Sequence, residues 1–372
     1  VTSAAVTTVP AWAATDPSGR FGPTSIGRRA VGTSDVRIRI DFCGICHSDV
    51  HTARAEWEGV HYPVVPGHEI VGTVVAVGAG VTRFGVGDQV AVGTLVGSCG
   101  SCAACAAGEE NYCAGQVGTF NFPNPDGVTP FTFGGYSSEI VVTERFVFRL
   151  PSGLDPAAAA PILCAGATVY SPMRHWKVGP GSRLGVAGLG GLGGLAVKVG
   201  KALGAEVTVL SRSAAKESAA CAAGADRFVV MADPGQLAGA RDSLDLILST
   251  VPRTHDINPY LDLLVRDGTY VVLGAMEPIM TPIVGSTLAM RRVNISGSLI
   301  GGLPETQELL ELCARRGISA DVQVIGAADI NDAHDRLATG DPAFRFVIDV
   351  ASMSASTTTP LHDRPHEGTP AT

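Results

Sequence analysis

A short apolar strand, Arg183–Ala187, runs directly into Gly188-Leu189-Gly190-Gly191-Leu192-Gly193 and then into a helix-patterned stretch ending at Leu203. Few local patterns restrict a fold so tightly. The first glycine permits the tight turn, the second lets backbone approach a pyrophosphate, and the third lets the helix pack on the strand. The helix N-terminus then aims its unpaired N–H groups at phosphate. Such a loop carries little weight alone in a chain with 46 glycines; the strand–loop–helix setting gives it meaning.

Apolar runs recur at Val207–Leu210, Phe228–Val230, Leu246–Ser249, Tyr270–Leu273 and Ile295–Ile300. Helical segments lie between them, among them Ala214–Ala223, stopped by Gly224. This alternation predicts a doubly wound parallel sheet of the Rossmann type. Upstream the texture differs. Val36–Ile40 alternates apolar and basic residues, and Ile70–Val77 and Gln89–Val92 are separated by Gly78, Gly80, Gly85 and Gly87, which predicts a compact β-rich, barrel-like domain. Asp155 and Pro156 form a cap and first position for a helical stretch toward Cys164. After a helix at Pro304–Arg315 and a strand at Phe346–Val350, the chain is read as rejoining the first domain. The expected division is therefore 1–151 with 298–350 for the β-rich domain and 152–297 for the nucleotide domain. Residues 351–372, rich in Ser, Thr, Pro and Ala, read as a disordered tail.

The end of the second nucleotide-domain strand decides between NAD and NADP, because an acidic residue there grips a ribose 2′-hydroxyl. The sequence reads Val209-Leu210-Ser211-Arg212-Ser213, with Lys216 close behind. No carboxylate repels a 2′-phosphate, and two cations can neutralise it, which predicts NADP(H).

Two cysteine patterns imply metal. Cys99, Cys102, Cys105 and Cys113 fall within fifteen residues as C-x2-C-x2-C-x7-C. Disulfides among such close neighbours are geometrically poor, whereas one tetrahedral Zn²⁺ satisfies all four in a closed structural site. Cys46, His68 and Cys164 each sit in a separate short motif: Cys46-His47-Ser48-Asp49, Gly67-His68-Glu69 and Leu163-Cys164-Ala165. Two thiolates and an imidazole make a three-ligand zinc set with an open fourth position, taken by water, substrate or Glu69. Asp49 is placed to accept the second ring N–H of a ligand histidine. A zinc ion there would act as a Lewis acid on a carbonyl or an alcohol. Ser48 and His51 have spacings that suit a proton relay. Two Zn²⁺ per chain are expected.

The 372 residues suffice for two cores, and 45% hydrophobic with 17% charged residues is an ordinary globular composition. A net charge of −8 with no basic stripe argues against nucleic-acid binding, and so against a zinc-finger-like binding protein built on the four cysteines. No run of about 18 apolar residues suggests a membrane span. Residues 1–12 lack a basic segment followed by an apolar one, so export is not indicated. Clustered thiols suit a reducing, cytoplasmic setting.

With those residues in view, the chain resembles the zinc-containing medium-chain alcohol dehydrogenases. Pro161-Ile162-Leu163-Cys164-Ala165-Gly166, Ser171-Pro172-Met173-Arg174-His175-Trp176 and Gly297-Ser298-Leu299-Ile300-Gly301-Gly302 are similar to the cinnamyl-alcohol-dehydrogenase-like branch, especially its bacterial NADPH-dependent aldehyde reductases. The resemblance implies a GroES-like catalytic domain beside the nucleotide domain, and reversible hydride transfer between NADP(H) and aldehydes or primary alcohols. It places a substrate at Cys46, His68 and Cys164, and Ser48 and His51 in proton transfer. His47 and Arg345 fall near the pyrophosphate, and Thr168, Thr250, Val251, Gly274, Ser298 and Ile300 along the cofactor. Ser211, Arg212, Ser213 and Lys216 align with the phosphate-holding segment, and the strand through Ser298–Ile300 with a homodimer contact. Trp57, Phe120, Leu299 and Ile300 are the expected substrate-pocket residues. Plant members usually carry a tryptophan five residues after the last cluster cysteine; Gly118 stands there, which argues against specificity for lignin precursors. An NAD-dependent alcohol or polyol dehydrogenase of the same fold is the competing enzymic reading.

Overall fold

The computed structural model describes residues 6–274, 278–340 and 344–353. Two large sheets organise it. Six parallel strands run in the spatial order Arg227–Val230, Glu206–Ser211, Arg183–Ala187, Leu244–Ser249, Leu264–Val272, Asn294–Gly297. The order reverses direction at Arg183–Ala187, so the crevice beyond its carboxyl end is where an open sheet of this kind takes a ligand. The glycine loop sits at that end. Its helix, Gly191–Leu203, buries Leu195, Ala196, Val197 and Val199 and stops at Gly204, whose φ of +93° favours glycine.

The second sheet explains how the chain's ends meet. Its strand path is Val322–Ile325, Arg345–Asp349, Asp35–Gly44, Ile70–Val77, Gln89–Val92, Val147–Arg149. Glu139–Thr143 also pairs with Asp35–Gly44. Irregularities at Arg37/Ile38 and Ile40/Phe42 bend that ten-residue strand. Its first half serves Glu139–Thr143 and its last residues serve Arg345–Asp349. One side of the sheet closes over Val36, Ile38, Ile40, Ile70 and Phe346, all nearly solvent-free.

The local readings differ from the structure where tertiary contacts intervene. The expected strand Ile295–Ile300 ends at Gly297: Ser298 N–H still donates to Val272, and Ile300 then turns the chain away with φ +41°. The helix expected at Ala214–Ala223 opens as a 3-10 turn, Ala214–Lys216, capped by the Ser213 hydroxyl, before Glu217–Ala222. Of the segment read as a tail, Ala351 and Ser352 complete a 3-10 turn begun at Val350 and Met353 is buried; 354–372 lie outside the described residues. Among the described residues no helix is long and apolar enough to cross a membrane.

Candidate active site

Cys46 precedes the short helix His47–Ala53, and Asp49 in its first turn is completely buried. One Asp49 oxygen accepts from Cys46 N–H at 2.7 Å; the other accepts from Gly67 N–H at 3.0 Å and faces His68 Nδ1 at 3.3 Å. A single carboxylate thus fixes two loops and holds the imidazole by one nitrogen, leaving Nε2 as the ligand atom. Cys164 arrives from the 3-10 turn Ala160–Leu163 at the start of helix Ala165–His175, with its sulfur 3.8 Å from that of Cys46. Ligand atoms of Cys46, His68, Glu69 and Cys164 all lie within 4.8 Å of one another, and all four residues are buried.

The electrostatics match that geometry. The Cys164 thiol, with His68 and Arg345, holds the Cys46 thiol well below its usual value against the cost of burial. Burial alone would lower His68, but Asp49 and Cys46 outweigh it and keep the ring well above its ordinary range. Burial pushes the Glu69 carboxyl up to about 8, opposed by the Arg345 guanidinium it pairs with. Glu69 Oε2 finds no hydrogen-bond partner among the described residues. Two sulfurs, one ring nitrogen and one unpartnered carboxylate oxygen suit Zn²⁺.

The second cluster is also assembled. Sulfur atoms of Cys99, Cys102, Cys105 and Cys113 lie within 4.8 Å of each other. Backbone N–H groups of Cys102 and Cys99 donate to Cys99 Sγ and Cys113 Sγ, both at 3.4 Å, and Gly115 N–H donates to Cys113 Sγ at 3.3 Å. Backbone donors from Ser101 and Cys102 bring the Cys99 thiol down to about 6, favouring the thiolate a metal needs. All nine cysteines are free.

At the nucleotide loop, Gly188 has φ +91°, and a side chain on Gly193 would come within 2.2 Å of the Gly188 carbonyl oxygen. Nothing lies within 4 Å of where a Gly190 side chain would begin, so that face is open to a ligand. Thr250 Oγ1 donates to the Ala187 carbonyl at 2.9 Å, tying the loop to the neighbouring strand, and Gly274 backs closely on Val251. Lys216 Nζ donates to the Leu189 carbonyl at 2.9 Å, which brings its charge to the loop. Ser211 is buried and its hydroxyl engages the backbone of Ser213; Arg212 is exposed nearby. Arg345 packs against Gly191 while pairing with Glu69, and its Nε finds no partner among the described residues. His47 Nε2 donates to the Leu337 carbonyl at 3.1 Å. Thr168 is buried in helix Ala165–His175, and Leu192 is half-buried beside the loop.

The expected relay and pocket residues divide. Ser48 Oγ lies 3.7 Å from Cys46 Sγ. His51 turns instead to Glu56, with Nδ1 2.5 Å from a carboxylate oxygen, and stacks on Trp57 at 5.2 Å. Trp57 and Leu299 are exposed, Ile300 is half-buried, and Phe120 stacks on His68 at 5.5 Å. The Phe122 ring occupies the space a Gly118 side chain would enter, 2.4 Å from its first carbon.

Sequence reasoning missed a buried pair behind Asp49. Tyr136 and His334 are nearly solvent-free, with the Tyr136 hydroxyl 3.0 Å from His334 Nε2. Burial lowers His334 to about 4 from 6.5. The unfolded chain therefore binds this proton more readily than the folded one. Its contribution is fully present above pH 6.5 and disappears as pH falls toward 4, a loss of about 3 kcal/mol. His334→Gln should flatten the decline in urea midpoint between pH 6.5 and 4.5; an unchanged slope would assign the decline to other groups.

Residues 32–152 match the Alcohol dehydrogenase GroES-like domain family, and residues 191–315 the Zinc-binding dehydrogenase family. The chain is 50% identical over 350 residues to NADP-dependent alcohol dehydrogenase C 1 of Mycolicibacterium smegmatis, covering 94% of this chain and 99% of that protein. It belongs to the zinc-containing medium-chain alcohol dehydrogenases. Aldehyde reductase YahK of Escherichia coli is 48% identical over 89% of this chain and 95% of its own. The crystal structure of "CAD" from Helicobacter pylori complexed with NADP(H) superposes with TM-score 0.86 at 38% identity, over 93% of this chain and 99% of that one.

Proposed function

We propose that the protein is a zinc-dependent oxidoreductase moving hydride between NADP(H) and aldehydes or primary alcohols, a broad-specificity aldehyde reductase. One observation carries this: Arg345 touches both Glu69 of the Cys46–His68–Cys164 cluster and Gly191 of the dinucleotide loop, so the metal ligands and the cofactor loop share one wall. Cys46, His68 and Cys164 would hold the catalytic ion, with Glu69 beside it, and Cys99, Cys102, Cys105 and Cys113 the structural one. When bound, zinc would supply Lewis acidity toward the substrate oxygen and NADPH would supply the hydride. Asp49 orients His68; Ser48, 3.7 Å from the Cys46 sulfur, would receive a substrate hydroxyl proton, and His51, paired with Glu56, would pass it on to solvent. Residues 1–151 with 298–350 act as the catalytic domain and 152–297 as the nucleotide domain.

Trp57, Phe120, Leu299 and Ile300 are read as the pocket. The Phe122 ring beside Gly118 supports a pocket differing from that of plant members with tryptophan there. Exposed Ile279, Met280, Ile283, Val284 and Met290, near the edge strand Asn294–Gly297, support pairing with a second copy. Nine free thiols suit the cytoplasm. The deciding measurement is NADPH against NADH oxidation over short aliphatic, aromatic and cinnamyl aldehydes; turnover of none of them with either cofactor would refute the reading. Arg212→Ala with Lys216→Ala should raise the KM for NADPH by ~10–100-fold and leave that for NADH nearly unchanged, since charge-assisted bonds to a 2′-phosphate are lost. Equal losses with both cofactors would move the phosphate site elsewhere.

A further inference from the structure

The lobe carrying the four cysteines does more than hold itself together. Immediately before Cys113 it forms a 3-10 turn, Glu110–Tyr112. All three side chains reach across nearly two hundred residues to the segment between strand Asn294–Gly297 and helix Leu303–Arg316. Asn111 Nδ2 donates to the Leu299 carbonyl at 2.7 Å, and Leu299 N–H donates to the Tyr112 hydroxyl at 3.3 Å. Glu110, buried and paired with Arg145, accepts from Leu303 N–H at 3.1 Å. The two backbones also touch, because a side chain on Gly302 would meet the Gly108 carbonyl oxygen at 1.8 Å.

Between these clamps lies Ile300 with φ +41°. A β-branched residue in the left-handed region persists only where its surroundings hold it there. Both backbone groups of Leu299 and the N–H of Leu303 are held from the same turn, so the strained residue is fixed from both sides. Ile300 packs against the cluster that contains Phe120, whose ring lies on His68.

We infer that Glu110, Asn111 and Tyr112 are positioning residues for aldehyde selection: the four-cysteine lobe sets the conformation of Leu299 and Ile300 and thereby the shape of the pocket. This rests on reading Leu299 and Ile300 as pocket wall. None of the three residues touches the reacting atoms; they act through the backbone of the crossover.

The test compares kcat/KM for benzaldehyde and propanal in the intact, zinc-loaded enzyme. Tyr112→Phe removes one hydroxyl from a half-exposed ring and so spares the fold; Asn111→Ala removes the stronger bond. Each should change the benzaldehyde-to-propanal ratio by about three- to tenfold, with zinc content and NADPH KM as in the parent. A purely structural turn would lower the melting temperature and leave the ratio alone. Ile300→Ala serves as the separating arm. If it shifts the ratio and the turn variants do not, the clamp is refuted while the pocket reading stands. If Ile300→Ala leaves the ratio unchanged, the pocket reading fails and the clamp falls with it. Should Asn111→Ala not fold, Tyr112→Phe alone decides.

Discussion

Replacing Cys46 with serine should abolish aldehyde turnover, by at least ~10³-fold, while NADPH still binds with near-parental affinity. Lewis-acid stabilisation is worth several kcal/mol, and each 1.36 kcal/mol is tenfold in rate. Serine removes one of the two sulfurs that face each other at 3.8 Å and leaves the Asp49 bond to the backbone of residue 46 untouched. The nucleotide loop, Thr250 and Lys216 lie outside the change, so fluorescence titration with NADPH should be unaffected. Parental rates in the variant would remove the metal from the chemistry; loss of NADPH binding would mean the substitution had disturbed more than a ligand.

Cys102→Ser tests the other cluster by a different readout. Zinc content should fall from two ions to about one per chain, because the four ligand sulfurs form a closed set. The melting temperature should drop by at least ~5 °C, since binding energy at a structural site is folding energy. Catalytic metal should be retained. Unchanged metal content by elemental analysis would count against the assignment, and loss of both ions would show that the two sites are not independent.

Much of the fold could be read locally because its strands obey simple periodicity. Arg183–Ala187, Ile70–Val77 and Gln89–Val92 have the bounds the pattern predicts, and the glycine-loop helix ends at Leu203 as expected. Asp155 caps its helix through Ala158 N–H at 2.9 Å, a purely local interaction. Failures occur where distant chain decides. Nothing about Ile300 suggests a left-handed backbone, because a β-branched residue there is locally unfavourable and the bonds that hold its neighbour Leu299 come from the distant turn Glu110–Tyr112.

The ligand candidates were legible because each stood in its own motif; their surroundings were not. Glu69 and Arg345 are 276 positions apart and form a buried pair that spacing cannot reveal. His51 shows what an interval leaves out: its spacing from Cys46 suggests a relay but says nothing of Glu56 and Trp57, which the fold sets against the ring. His334 and Tyr136 went unnoticed because a lone histidine in a helix carries no signal until the fold buries it against a phenol.

The strand Arg345–Asp349 is inserted between Val322–Ile325 and the last residues of Asp35–Gly44, so the end of an early strand waits for one made far downstream. The six parallel strands, by contrast, all lie between residues 183 and 297. On the ribosome the middle of this polypeptide can therefore close its sheet before residues 42–44 find their partner, and that short edge stays open until Arg345–Asp349 has emerged. A stop codon placed just before Arg345 would spare most of the cofactor half and release a product whose exposed ladder invites aggregation.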